Sequence, residues 1–416
     1  MENLALFGGK PVKTTEFGKA RRFGDEELQQ VKEALEQDTL FYWGAASSKV
    51  KTFCAKMAEM YSMKYAVASS SCTAAIHAAL GALGVTEGDE VIVSPITDMG
   101  SVIGILYQNA IPVFADLDPH TYNMDAASIE KRITDKTKAI LVVHLAGNPA
   151  DMDPIMDIAR RHNLSVVEDC AQSWLCYYKG RLAGTIGDIG CFSTNDFKHI
   201  STGDGGLLVM NDEKLYYKAF RFVDKNYDRF GHDHPDRAIV SLAPNYRMTE
   251  LQGAVGIAQL DRLEGICKKR NEYGDRITRE ISGFKGIYPP KVHEGNKSSY
   301  WFYMIRIAKD EAGVDTNEFT KALNAEGIPA SVGYIPICVY EYPLFQNKSA
   351  YTGTHAPFDS PYYGRDISYA KGLCPTAEAI LKTSVMIRFK EYFSEQDISD
   401  IIAGIRKVAE YYGQKK

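Results

Sequence analysis

The chain has 416 residues, 45% hydrophobic and 24% charged, with a formal net charge of -5. That is an ordinary globular composition, long enough for two or three domains, and it offers no global basic field to attract nucleic acid or anionic lipid. No apolar run forms a signal peptide at the start MENLALFGGKPVKTTEFGKARRF or approaches the ~20 residues of a membrane helix, so a cytoplasmic protein with no nucleic-acid or membrane partner is expected.

In chain order, short apolar β-rich runs at 65–69, 90–94, 112–116, 139–145, 165–169, 191–193 and 207–211 alternate with helical patterns such as 74–83 and 154–162. The first five runs are nearly continuous in hydrophobicity, as strands covered on both faces are. This predicts an α/β fold around a mostly parallel sheet of seven strands covered by helices. From 248 to 277 the period switches to 3.6 over an unusually long stretch, which reads as a helix bridging two domains. Beyond it, strands are expected at 300–307, 329–335 and 384–389 and helices near 316–325 and 395–412. The chain thus divides into a large domain, 1–262, and a smaller C-terminal α+β domain, 263–416. Residues 340–372, rich in Tyr, Pro, Gly and Ser, show no periodicity and predict a long connection of the functional or mobile kind.

The run CFSTNDFKHISTGDGG (191–206) places Lys198 between an apolar strand end and a glycine-rich turn. The strand SVVED ends on Asp169, and ligands of open α/β sheets bind outside the carboxyl ends of strands. A lysine and an acid at one rim suggest pyridoxal phosphate: the amine attacks the cofactor aldehyde, and the carboxylate keeps the pyridine nitrogen protonated. The cofactor phosphate needs hydroxyls and N–H groups at a helix start. SSSCTAAIHAAL (69–80) offers the N–H groups of Cys72 and Thr73 with the Thr73 hydroxyl, and Ser193 offers another hydroxyl. Taken alone, Ser/Thr before a helix also reads as a plain N-cap.

The segments LALFGGKPV, SSSCTAAIHAAL, EGDEVIVSPITD, VVEDCAQS, YYKGRLAGTIGDIGCFSTNDFKHISTGDGGLLVMND, APNYRMTELQGAVGIAQLDRL and CPTAEAI, in this order, resemble the DegT/StrS sugar aminotransferases, fold type I pyridoxal phosphate enzymes. The resemblance covers nearly the whole chain. It implies Lys198 as the Schiff-base lysine, Asp169 at the pyridine nitrogen, Gln172 near the ring hydroxyl, and Cys72, Thr73 and Ser193 at the phosphate. It further implies that Asn245, in the NYR segment, reaches the phosphate of a neighbouring subunit's cofactor, so that a homodimer shares its sites. The implied reaction transfers an amino group from L-glutamate or L-glutamine to a keto-sugar, nucleotide-linked, or to a keto-cyclitol. The rivals are a deoxysugar dehydratase on the same fold, against which Lys198 argues because such relatives carry His there, and a catalytically silent regulatory homologue, against which the intact residue set argues.

One departure stands out. Where the family has an aromatic residue on the cofactor ring, this chain has Asp98; either Met99 or another side chain covers the ring, or Asp98 meets a polar substrate group, and the second is preferred because polar groups at a pocket mouth fix substrates. Trp43 reads equally as a lining of the substrate mouth or as a packed aromatic. His199 should point away from the ring and make a packing or backbone contact. Glu168 should face the opposite side of its strand from Asp169. His232 and His234 have metal-like spacing but no further ligand nearby in sequence, and the eight cysteines include no CxxC pair, so no metal site is expected.

Overall fold

The computed structural model describes residues 3–41, 43–231, 238–239 and 241–413. Helices α1 (Asp25–Leu35) and α2 (Lys49–Met60) lead into an alternation of β1 (Tyr65–Ser69), α3 (Cys72–Ala82), β2 (Glu90–Val93), α4 (Met99–Tyr107), β3 (Ile111–Phe114), α5 (Ala126–Arg132), β4 (Thr137–Val143), α6 (Met152–His162) and β5 (Ser165–Asp169). A hairpin of β6 (Tyr177–Tyr178) and β7 (Arg181–Leu182) precedes β8 (Ile189–Ser193), β9 (Gly206–Met210), α7 (Glu213–Val223) and α8 (Glu250–Ile281). There follow β10 (Ile287–Tyr288), β11 (Tyr303–Ile307), α9 (Lys309–Ala312), α10 (Thr316–Ala325), β12 (Ala330–Val332), α11 (Pro343–Gln346), α12 (Pro375–Thr383), β13 (Ser384–Ile387) and α13 (Glu395–Gly413).

The expected seven-stranded sheet is present, in the order β1-β9-β8-β5-β4-β2-β3. From β8 to β3 every pairing is parallel, whereas β9 runs antiparallel to both β8 and β1. The reversal has a consequence for the site: the loop between β8 and β9 leaves and re-enters the sheet at one rim, where β1, β2, β4 and β5 also end. Strands β2, β3, β8 and β9 are buried throughout, which accounts for their unbroken apolar sequence. The second sheet, β10-β11-β13-β12, is antiparallel and backs onto α10 and α13.

The bridging helix is α8, capped by Thr249 through the Gln252 N–H while the Gln252 side chain returns to Thr249. The boundary expected after residue 262 falls inside this unbroken helix. Part of the C-terminal half also joins the first core, because Tyr340, Phe345 and Tyr369 set their rings 5.6, 5.6 and 5.8 Å from that of Phe114 on β3. The aperiodic stretch 340–372 is therefore packed against the large sheet. Its Tyr369 hydroxyl donates to Pro112 O at 2.9 Å and its Tyr363 hydroxyl to Glu90 at 2.9 Å. Among the described residues no helix is long and apolar enough to cross a membrane.

The N-terminal segment is strapped to α13 by a buried ion pair. Lys13 Nζ lies 2.7 Å from Asp397 and 3.0 Å from Asp400. Burial would push the Asp397 carboxyl up, but Lys13, the N–H and hydroxyl of Ser394 and the N–H of Gly18 more than offset it and hold it down at about 2. A depressed carboxyl contributes stability above its unfolded value and loses it as pH falls through the folded one. Asp397→Asn should therefore unfold more easily at neutral pH by about 1 to 2 kcal/mol, the lower figure allowing for solvent screening. It should also lack the wild type's loss of stability between about pH 4 and 2, read by urea unfolding at a series of pH values.

Candidate active site

At the end of β1 the chain turns through Ser70 and Ser71 into α3. Ser71 is the N-cap, its Oγ accepting from the Ala74 N–H at 3.1 Å. The N–H groups of Cys72 and Thr73, the first two of the helix, have no hydrogen-bond acceptor among the described residues. They point out of a positive helix end, which favours an anion. Gly206 on β9 lets this turn approach the sheet: a Cβ there would lie 2.3 Å from Ser71 O and 2.7 Å from Cys72 N. Gly100 plays a similar part from the other side, since its Cβ would sit 2.6 Å from Thr73 Oγ1.

Asp169, the last residue of β5, is buried. One carboxylate oxygen accepts from the Ser101 hydroxyl at 2.6 Å and the other from the Ala171 N–H at 2.9 Å. Ser101 sits in the first turn of α4, which Asp98 caps by accepting from the Gly100 N–H at 2.8 Å. Burial pushes the Asp169 carboxyl up, opposed by Ser101, the Ala171 N–H and the Lys198 charge. Burial pushes Lys198 in the opposite direction, down, opposed first by Asp169. A half-buried amine biased toward neutrality beside a buried acid is the electrostatic arrangement of a nucleophilic lysine.

The Lys198 loop is pinned from outside by Arg22, whose guanidinium donates to the carbonyls of Asp196 and Lys198. Gln172 Oε1 accepts from the Ala146 N–H at 2.8 Å, and its Nε2 donates to the Tyr334 hydroxyl at 3.4 Å. The Ser193 hydroxyl accepts from the Asn195 N–H at 3.2 Å. A cavity of about 100 Å³ gathers Cys72, Thr73, Asp98, Asp169, Gln172, Ser193 and Lys198. Sequence reasoning missed Ser101, Tyr334, Arg22 and Trp301, whose ring centroid lies 3.7 Å from Lys198 Nζ. For Ser101 the position one turn into the helix after β2 was a usable signal; the others meet the site only through distant pairings.

The family model described as the DegT/DnrJ/EryC1/StrS aminotransferase family matches residues 21–360. The chain belongs to this family. The aminotransferase is pyridoxal phosphate-dependent, as its relatives are. It is 33% identical to the spore coat polysaccharide biosynthesis protein SpsC of Bacillus subtilis, over 92% of this chain and 95% of that one. It is 32% identical to a candidate L-glutamine:3-amino-2,3-dideoxy-scyllo-inosose aminotransferase of Micromonospora echinospora, over 100% and 99%. With GDP-perosamine synthase of Escherichia coli O157:H7 it shares 37% identity over 78% and 85%. Among solved structures, an aminotransferase from Psychrobacter cryohalolentis superposes with a TM-score of 0.81 at 30% identity, covering 95% of this chain and 99% of that one.

The residues present fit the cofactor. Two unpartnered helix N–H groups and a hydroxyl suit a phosphate, and a buried carboxylate suits a protonated ring nitrogen, in one cavity that Gly100 also lines.

Other residues singled out in the sequence fall outside the cavity. Trp43 is not among the residues that line it and packs edge-on to Phe220 and Phe230, ring centroids 5.4 and 6.0 Å away. Asn245 is exposed, opposite Asp224 in a β-bridge, and is not the cap of α8, since Thr249 is. His199 turns away and bonds Ser299 O at 3.1 Å through Nε2, with burial holding it neutral. Glu168 faces the other side of β5, where its oxygens take N–H groups from Gly184, Ile186 and Gly187 at 2.6 to 2.8 Å and meet His144 Nε2 at 2.9 Å. His144, Glu168 and Cys170 gather closely enough to suggest a metal, yet His144 Nδ1 already accepts from the Ala150 N–H and both Glu168 oxygens are engaged. His232 and His234 lie outside the described residues.

Gly206→Ala tests the close approach at the phosphate end. The added methyl must displace Ser71 or Cys72 backbone, so pyridoxal phosphate should bind the variant at least about tenfold more weakly by equilibrium dialysis, with a lower thermal midpoint.

Proposed function

We propose that this aminotransferase carries an amino group from L-glutamate or L-glutamine to a ketone on a nucleotide-linked sugar or a cyclitol. The observation that carries the reading is the union of Lys198, Asp169 and the α3 helix start in one cavity. The relatives named as a glutamine-dependent inosose aminotransferase and as GDP-perosamine synthase supply the substrate classes. When bound, pyridoxal phosphate supplies an aldehyde to hold an amine and a ring to accept electrons.

The rest is work for the chain's own groups. Cys72 and Thr73 N–H, the Thr73 hydroxyl and Ser193 would hold the phosphate. Asp169, its oxygens fixed by the Ser101 hydroxyl and the Ala171 N–H, would keep a proton on the ring nitrogen through a charge-assisted hydrogen bond. Gln172, fixed by Ala146 and Tyr334, would meet the ring hydroxyl. Lys198 would anchor the cofactor, and its Nζ is the group of this chain that would take a proton from the donor Cα and supply one on the acceptor side. Asp98, exposed at the cavity edge, meets a polar group of the substrate. A dehydratase with a trapped cofactor adduct has the same fold, with a TM-score of 0.78 at 23% identity. The lysine at position 198 favours amino transfer over that chemistry, and the intact residue set disfavours a silent homologue.

The acceptor class is tested by converting the enzyme to its amino form with glutamate or glutamine and screening keto-sugars and keto-cyclitols for return of the original cofactor absorbance. Lys198→Ala should bind the cofactor without a covalent bond and lose turnover by about a thousandfold or more, while Asp169→Asn should slow the glutamate half-reaction by about a hundredfold with little change in donor binding. Unchanged single-turnover rates in either variant would remove that residue from its role.

The four phosphate donors of one chain include no cation, and exposed Asn245 has no side-chain hydrogen bond among the described residues. We read it as a donor to the site of a second copy in a homodimer. Equilibrated mixtures of Asn245→Ala and Lys198→Ala chains should regain activity that neither has alone, because one of the two sites in a mixed dimer is intact. A mixture no more active than its components, or an active monomer in sedimentation, is incompatible with a shared site.

A further inference from the structure

Trp301 touches the loop of Lys198 with both its edge and its face. Its indole N–H donates to Phe197 O at 2.7 Å, and its ring centroid lies 3.7 Å from Lys198 Nζ. The Trp301 backbone N–H donates to Ala146 O at 2.9 Å, and the Ala146 N–H in turn donates to Gln172 Oε1. Behind the indole stands Tyr334, edge-on at 5.9 Å, which also takes the Gln172 amide. One aromatic residue of the small sheet's lead-in is thus joined to two groups of the cavity.

The backbone that presents it is strained. Tyr300 has φ 41° and Ala146 φ 59°, both in the left-handed region that a residue with a side chain seldom enters. Tyr300 is held there by its hydroxyl on Asp275 at 2.9 Å, by packing in the second core, and by Arg270, which donates to the carbonyls of Tyr300 and Trp301, each at 3.2 Å. Strain of this kind persists only where surroundings over-determine it, and it clusters at sites of function. Here its effect is to aim the indole face at the lysine.

We propose that Trp301 is a positioning residue for Lys198: its ring face is where the free ammonium rests whenever Lys198 is not bonded to the cofactor, and its N–H fixes the loop that carries the lysine. The inference rests on the reading of Lys198 as the attachment residue. During each half-reaction the displaced amine must stay within reach of the donor Cα and must pass between charged and neutral forms. An ammonium out of water regains part of its lost hydration from an aromatic face, most strongly from Trp. The other groups facing Nζ are Asp169 from the end of β5, Asp98 from the cap of α4 and the Cys72 thiol at the start of α3, with Arg22 at the lysine's own carbonyl and His199 neutral beside it. Asp169 favours the charged form and burial the neutral one, so the indole adds to the weaker side.

The test is the pH dependence of the rate at which full-length chain, dialysed free of cofactor, forms its covalent bond with added pyridoxal phosphate, followed by absorbance. In that step the neutral Nζ adds to the aldehyde carbon, the new carbon–nitrogen double bond replaces the carbonyl, and the oxygen leaves as water. In Trp301→Leu the midpoint should fall by about one pH unit, because the ammonium has lost its partner. In Trp301→Phe, which keeps a face, it should lie between the two. Biosynthetic fluorotryptophan, which weakens the ring without changing its shape, should also lower the midpoint and serves if the leucine variant does not fold. A midpoint that is unmoved or raised in Trp301→Leu or in the fluorinated protein, or that falls as far in Trp301→Phe as in Trp301→Leu, overturns the proposal. A change in thermal stability alone moves none of these midpoints. Lys198→Ala is the control: covalent attachment to that variant would overturn the reading of Lys198 itself, whatever Trp301 does.

Discussion

Holding the carboxylate of Asp169 inside the protein costs on the order of several kcal/mol unless hydrogen bonds and an opposite charge replace the water it has lost. Much of the neighbourhood follows from that demand. Ser101 meets one oxygen, the Ala171 N–H the other, and the Lys198 charge faces both. Ser101 is in place only because α4 starts at Met99, and the start is set by the Asp98 cap. The Asp98 side chain therefore has a structural task, capping the helix whose first turn carries the Ser101 partner of Asp169. In the proposed role, Asp169 would regain from a cationic ring nitrogen the charge that burial otherwise withholds.

The lysine shares a cavity with this carboxylate because β9 reverses direction. With β8 ending and β9 beginning at one rim, residues 194–205 form a loop over the strand ends instead of crossing to the other side of the sheet. Gly206 is then the hinge of two functions. It starts the reversed strand, paired with Ser69, and it leaves room for the α3 turn whose N–H groups face the cavity. Strand pairing and the close approach of the α3 turn thus meet at the same residue lacking a side chain.

What the sequence made legible was whatever sits close together along the chain. Lys198 stood out because an ammonium follows an apolar strand, and Cys72 and Thr73 because serines precede an alanine-rich helix. The seven strands were visible because burial on both faces leaves an unbroken apolar run. Contacts made across the fold were not legible. Trp301 read as one more aromatic in a strand, since nothing local tells that a strained Tyr300 turns it toward a lysine about a hundred positions earlier. The stretch 340–372 read as an open connection because its tyrosines and phenylalanines follow neither a helical nor a strand period; they are spaced to meet Phe114 instead. Asn245 could be assigned a role only through family resemblance, and within one chain its side chain meets nothing that explains it.

Strand β5 sets two acids side by side, and the pleat sends them to opposite faces. Glu168 pairs across the backbone with Val142 and Gly190 and is locked on its own face by His144 and three backbone N–H groups. A slip of one residue in this strand would turn Glu168 to the face of the cavity and Asp169 to the face of the Gly184–Gly187 turn. Glu168 thus acts as a keyed fit that admits a single alignment of the sheet's centre, and it makes residues 165–169 a place where the chain tolerates neither an added nor a missing residue.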